Sequence, residues 1–145
     1  FFFKDEVHIL SAQLRMGGGD SRVDNVSSGG CSSPIQEGGW LSEKAVNRKS
    51  EWIDRHESGI LIKDICVPSY DHILEIVKRK HKQLPYFGIL GWDFAVDKEG
   101  DPVLVEINVT CEPNQIASGP TFGDLTPQVL QEVLVDKTMK DYFIS

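Results

Sequence analysis

Two carboxylates and an amide near the end of the chain, Asp93, Glu106 and Asn108, have the types and spacing to do chemistry. Two apolar, β-branched segments, 88–97 and 102–110, flank the run Asp97-Lys98-Glu99-Gly100-Asp101, a composition typical of a hairpin turn. With the turn centred between Glu99 and Gly100, Asp93 falls directly opposite Glu106, and Gly91 falls opposite Asn108. Residues two apart on a strand share a face, so Asp93, Glu106 and Asn108 are expected on one side. Trp92, Phe94 and Val96 against Val103, Val105 and Ile107 form the other side, an apolar layer that a one-residue slip would mix. Opposed carboxylates repel unless something compensates, and the simplest compensation is a cation. Carboxylate and amide oxygens are hard ligands suited to Mg2+ (or Mn2+), which typically takes one or two protein carboxylates while phosphates and water complete its shell. The alternative is a polar face that only meets water.

Arg15 is the second candidate. Leu10, Ala12, Leu14 and Met16 alternate with Ile9, Ser11, Gln13 and Arg15, which predicts a strand over 7–16. At its end the guanidinium fork suits bidentate contact with a phosphate or acyl-phosphate, although a surface ion pair also accounts for it. The segment 17–39 then collapses into Gly, Ser and Asp or Asn, which reads as a glycine-rich loop. Within it Asn25, Gly29 and Gly30 could let backbone N–H groups approach a carboxylate or phosphate, and a plain flexible loop is an equal reading. Arg22 is assigned to solvent. His8, His56, His72 and His81 show no metal-ligand spacing, and His72 and His81 are read as structural helix residues.

The elements that must position these groups are mixed. Ile73, Leu74, Val77 and Leu84 lie on one helical stripe over 70–84, with acids early, Lys78, Arg79, Lys80 and Lys82 late, and Pro85 as the stop. The basic run compensates the helix dipole and carries no assigned function. Residues 59–63 suggest a short strand. Thr126-Pro127, as N-cap and first-turn proline, predicts a second helix through Val129, Leu130, Val133 and Leu134. The expected class is α+β, one domain over 1–145 with an antiparallel sheet backed by helices and no internal repeat. The aromatic start Phe1-Phe2-Phe3 suggests that the sequence opens inside a strand.

Composition narrows the function classes. The 145 residues carry 15 Lys+Arg and 22 Asp+Glu, a formal net charge of -7, with a sequence pI near 5.0. Such a balance argues against non-specific nucleic-acid binding, and an anionic ligand would need local cations. No apolar run reaches the length of a membrane helix. Cys31, Cys66 and Cys111 are odd in number and widely spaced, so neither a disulfide framework nor a zinc site is indicated, and a reducing, cytoplasmic setting is the expectation. Cys111 has no evident basic partner and is read as an inert thiol.

The segment Gly91-Trp92-Asp93-Phe94-Ala95-Val96-Asp97, followed by Gly100-Asp101-Pro102-Val103-Leu104-Val105-Glu106-Ile107-Asn108, resembles the metal-binding hairpin of the ATP-grasp superfamily. Leu14-Arg15-Met16-Gly17, Val23-Asp24-Asn25, Gly29-Gly30 and the stretch from Gln115 to Asp124 add to the likeness, which covers about residues 7–135 and is nearest to the ATP-grasp domains associated with sugar transfer and bacterial surface polysaccharides. The resemblance implies the C-terminal subdomain of that fold. It also implies Mg2+ on Asp93, Glu106 and Asn108, ATP as co-substrate, and Arg15 as the catalytic cation on the γ-phosphate or acyl-phosphate. Asn25, Gly29 and Gly30 become ATP- or substrate-binding positions. The implied reaction is ligation of a small carboxylate to an amine or sugar-linked acceptor through an acyl-phosphate. Two departures stand out. The hinge and lysines that hold adenine and the first phosphates in that family find no counterpart here, so a missing N-terminal half is an expected partner. Thr110-Cys111-Glu112-Pro113-Asn114 replaces a short Pro-Gly turn, which leaves the acceptor open. A non-catalytic module that binds a divalent ion or phosphorylated ligand is the competing reading, and a purely structural accessory domain is a third.

Overall fold

The computed structural model describes residues 1–18, 30–111 and 115–136. It is α+β, with every strand pair antiparallel, in agreement with the expected class. Strands β1 (Phe2–Phe3) and β2 (Glu6–Val7) pair through a tight turn in which Lys4 and Asp5 both take positive φ. A meander follows: β3 (Gln13–Met16), β4 (Cys31–Pro34), β5 (Ala45–Asn47) and β6 (Trp52–Ile53), a 4-stranded sheet in that order. The last pair is β7 (Gly91–Val96) with β8 (Pro102–Asn108). The single sheet expected from the sequence is thus three separate ladders.

Three boundaries differ from the sequence reading. The strand expected over 7–16 is broken, because Val7 pairs with Phe2 and the ladder resumes only at Gln13. The glycine-rich stretch 17–39 contains β4 and a 3-10 turn at Glu37–Gly39, so it is not loop throughout. The strand expected over 59–63 is reduced to an isolated bridge between Arg55 and Leu61, followed by a 3-10 turn at Ile62–Asp64.

Cys31, Leu41, Ala45, Ile62, Val67 and Tyr70 make the buried cluster, with Ala12, Leu14, Met16 and Val96 packed against it. Leu14 and Met16 turn inward, and strand alternation sends Arg15 to the other face. Gly39, at φ +88, passes so close to the next segment that a Cβ there would stand 2.7 Å from the Val67 carbonyl oxygen.

Helix α1 (Tyr70–His81) confirms the predicted helix and ends three residues before Leu84. Ser69 does not cap it through its side chain. It sits at φ 53, and its hydroxyl donates to the Gly100 carbonyl at 2.8 Å, tying the start of α1 to the turn between β7 and β8. After a short helix α2 (Gln115–Ser118), α3 (Thr126–Gln131) carries the predicted early proline and runs on into a π-helical turn at Glu132–Asp136. Thr126 donates its hydroxyl to the Gly123 carbonyl at 2.7 Å instead of accepting a helix N–H, and only Val129 of the expected apolar stripe is buried. Among the described residues no helix is long and apolar enough to cross a membrane.

Candidate functional site

The hairpin positions Asp93, Glu106 and Asn108 by two irregularities that cancel. Asp97 and Asp101 close the turn, with the Asp97 carboxylate accepting from the Glu99 and Asp101 N–H groups at 3.0 and 2.9 Å, and Gly100 takes φ +91. This loop is centred on Glu99, so Val96 pairs with Pro102, Ala95 with Val103 and Phe94 with Leu104. A bulge then leaves Val105 over, and beyond it the partners are Asp93 with Glu106, Trp92 with Ile107 and Gly91 with Asn108. The expected register therefore holds at the site and fails near the turn. The expected apolar layer is corrected with it: Val103 pairs opposite Ala95 on the face of the acids, and Val105 is 64% exposed. Gly91 permits the approach of the following segment, since a Cβ there would lie 2.9 Å from the Cys111 Cβ.

Around this face the side chains converge. The Asn108 amide donates to Glu106 Oε1 at 3.1 Å and to Asp93 Oδ2 at 3.4 Å. The Arg15 guanidinium reaches the same Asp93 oxygen at 3.5 Å, bridging β3 and β7 across a sequence separation of 78. The two acids are thus compensated from within the protein by a guanidinium and an amide, so their repulsion alone does not demand a metal. The Arg15 and Asp93 side chains are 46% and 31% exposed. An ion pair so open to water contributes about 0–1 kcal/mol to stability, too little to account for its place by folding alone.

The donor set fits one kind of ion. Two carboxylates and one amide surround a common point, and among the described residues no group of three or more His, Cys, Asp or Glu could hold a metal. Two protein carboxylates with room for outside oxygens match Mg2+ bound with phosphates, not a closed zinc or calcium cage.

Of the other predicted positions, Asn25 and Gly29 lie outside the described residues, as does Arg22. Gly30 is buried immediately before β4, whose Ser32 pairs in register with Arg15. Sequence reasoning missed His56, whose Nε2 lies 2.8 Å from the Gly17 carbonyl and whose Nδ1 lies 2.8 Å from the Ser58 hydroxyl, fixing the chain just after Arg15. Only the neighbouring Ser58 could have hinted at this. His81 and Trp92 were also passed over as site residues, and both line a cavity that ends at Arg15 and Asp93.

The cysteines are graded by surroundings. Burial, with a smaller contribution from Glu57, pushes the Cys31 thiol up from its ordinary value, whereas Cys66 is exposed. A raised thiol pKa means less thiolate at a given pH. Iodoacetamide at pH 8 is therefore expected to label Cys66 readily and Cys31 only after unfolding, as read by peptide mass spectrometry; equal labelling of both in the folded chain would contradict the packing around β4.

No curated protein and no solved structure matches the chain. A comparison with known families matches residues 1–131, a span that takes in Arg15 and the whole β7–β8 hairpin. The family is described as sugar-transfer associated ATP-grasp, and the chain belongs to it.

Proposed function

We propose that the chain is the Mg-ATP-binding, C-terminal part of an ATP-grasp carboxylate ligase. The observation that carries this reading is the meeting of Arg15 with Asp93, Glu106 and Asn108 on one face, from elements far apart in sequence. Membership of an ATP-grasp family supports ATP as co-substrate.

Asp93, Glu106 and Asn108 would hold Mg2+ (or Mn2+), the amide turning its oxygen toward the ion. The ion supplies charge neutralisation at the ATP phosphates. Arg15 binds and orients the transferring γ-phosphoryl group, which passes to a substrate carboxylate to give an acyl-phosphate that an amine or sugar-linked acceptor then attacks. In such a transfer the protein contributes mainly position and charge, so no side-chain nucleophile is required. Asn25, Gly29 and Gly30 would contact phosphate or substrate through the backbone, and a further ATP-grasp segment would supply the adenine and first phosphates. The family's association with sugar transfer points to polysaccharide assembly in the cytoplasm. A non-catalytic module with the same ligand set differs in one respect, that ATP is bound and not consumed.

Calorimetric titration tests the reading. Mg2+ is expected to bind markedly more tightly with a non-hydrolysable ATP analogue present than alone, because phosphate oxygens complete its shell. Metal binding that is indifferent to nucleotide would overturn the proposal.

A further inference from the structure

A cavity of about 780 Å³ runs beside β7 and under α1, and its apolar walls include Leu10, Leu14, Ile73, Leu74, Leu90 and Phe94. His81 and Trp92 line it as well, their ring centroids 6.2 Å apart. His81 is only 1% exposed. Its Nε2 lies 2.8 Å from the Phe87 carbonyl, an acceptor, so Nε2 carries the proton and Nδ1 of the neutral ring presents a lone pair. That Nδ1 and the Trp92 indole Nε1 are both buried with no hydrogen-bond partner among the described residues. One is an acceptor awaiting a donor, and the other is a donor awaiting an acceptor.

Buried polar groups are nearly always satisfied, and leaving one unsatisfied is costly. A hydroxyl meets both demands at once, because its hydrogen donates to a lone pair while its oxygen accepts an N–H. A carboxylate cannot donate to His81, and an ammonium cannot accept from Trp92. A single water would satisfy the pair but leave the rest of the cavity unfilled, and the volume lies within the range of small-molecule sites. From this we propose that the cavity binds an uncharged small molecule with an apolar body and a hydroxyl group held between His81 and Trp92. Arg15 and Asp93 line the same cavity, which brings such an occupant next to the groups assigned to phosphoryl transfer. The inference stands on the cavity and the orphaned pair and does not require the metal reading.

Benzyl alcohol and toluene are matched probes that differ by the hydroxyl. With 15N-labelled chain, no nucleotide and no Mg2+, benzyl alcohol is expected to shift the Trp92 indole N–H resonance and to bind about tenfold or more tighter than toluene. Trp92→Phe should bring that preference close to unity while toluene binding persists, and His81→Phe should do the same, with circular dichroism reporting the fold. The comparison in the unaltered chain decides the matter even where a variant does not fold. Toluene bound as tightly as the alcohol, an indole signal unmoved by either probe up to its solubility, or a preference unchanged in folded Trp92→Phe would each overturn the proposal, the first two leaving water as the partner of the pair. Because Mg2+ and ATP are absent, failure here leaves the ligase reading untouched.

Discussion

Arg15→Ala is expected to lower ATP turnover by about 10³-fold or more, the scale on which an arginine facing a transferring phosphoryl group acts. Nucleotide affinity should fall far less. The charge that Arg15 would meet grows as the phosphoryl group leaves, so the side chain contributes more to the transition state than to the bound ground state. The structure makes the substitution clean. Leu14 and Met16 anchor β3 in the core while Arg15 points to the open face, and its only stated ion pair is the half-exposed contact with Asp93. Stability should therefore shift by less than about 1 kcal/mol. The measurement is ADP release by protein carrying both halves of the ATP-grasp clasp, with kcat and KM separated. A kcat within tenfold of the parent would reject the assigned role.

Glu106→Gln is the second large effect. The change is isosteric and removes one of two carboxylate charges. Mg2+ affinity in the presence of an ATP analogue should fall at least about 10- to 100-fold, since changes to outer partners of a metal ligand already cost that much. The fold should tolerate it, because Glu106 is exposed and a glutamine carbonyl can still accept the Asn108 N–H that now reaches Glu106 Oε1 at 3.1 Å. Calorimetry on the folded variant separates the two effects. Unaltered Mg2+ affinity would remove Glu106 from the metal.

Much of the site was legible because it follows from period-two alternation and from turn chemistry. Arg15 faces outward for the reason its neighbours face inward. The pairing of Asp93 with Glu106 came out as read, yet by an offset: a turn centred on Glu99 instead of between Glu99 and Gly100, compensated by the bulge at Val105. A bulge has no signature in an apolar run such as Val103-Leu104-Val105, so the face assigned to Val103 could not be foreseen. The helix over 70–81 was legible from its stripe and its charge order. Ser69 was not, because its hydroxyl answers a carbonyl at Gly100 that only the tertiary fold brings near. The same holds for His56 on Gly17 and for the pairing of His81 with Trp92, contacts between elements that no local pattern encodes. The meeting of Arg15 with Asp93 joins two separately predicted candidates into one cluster, and it also supplies the compensation that the sequence reading had sought in a metal.

The most direct test of the Mg-ATP reading is a thermal melt of the 145-residue chain with and without millimolar Mg2+ and a non-hydrolysable ATP analogue, repeated with Asp93→Asn. A ligand that binds only the folded state at about 100 times its Kd adds about 2.7 kcal/mol, which for a chain of this size raises Tm by about 5 to 10 °C. The account predicts such a rise in the unaltered chain, dependent on both metal and nucleotide and abolished by Asp93→Asn. An equal rise in Asp93→Asn, or none in either chain, would contradict it.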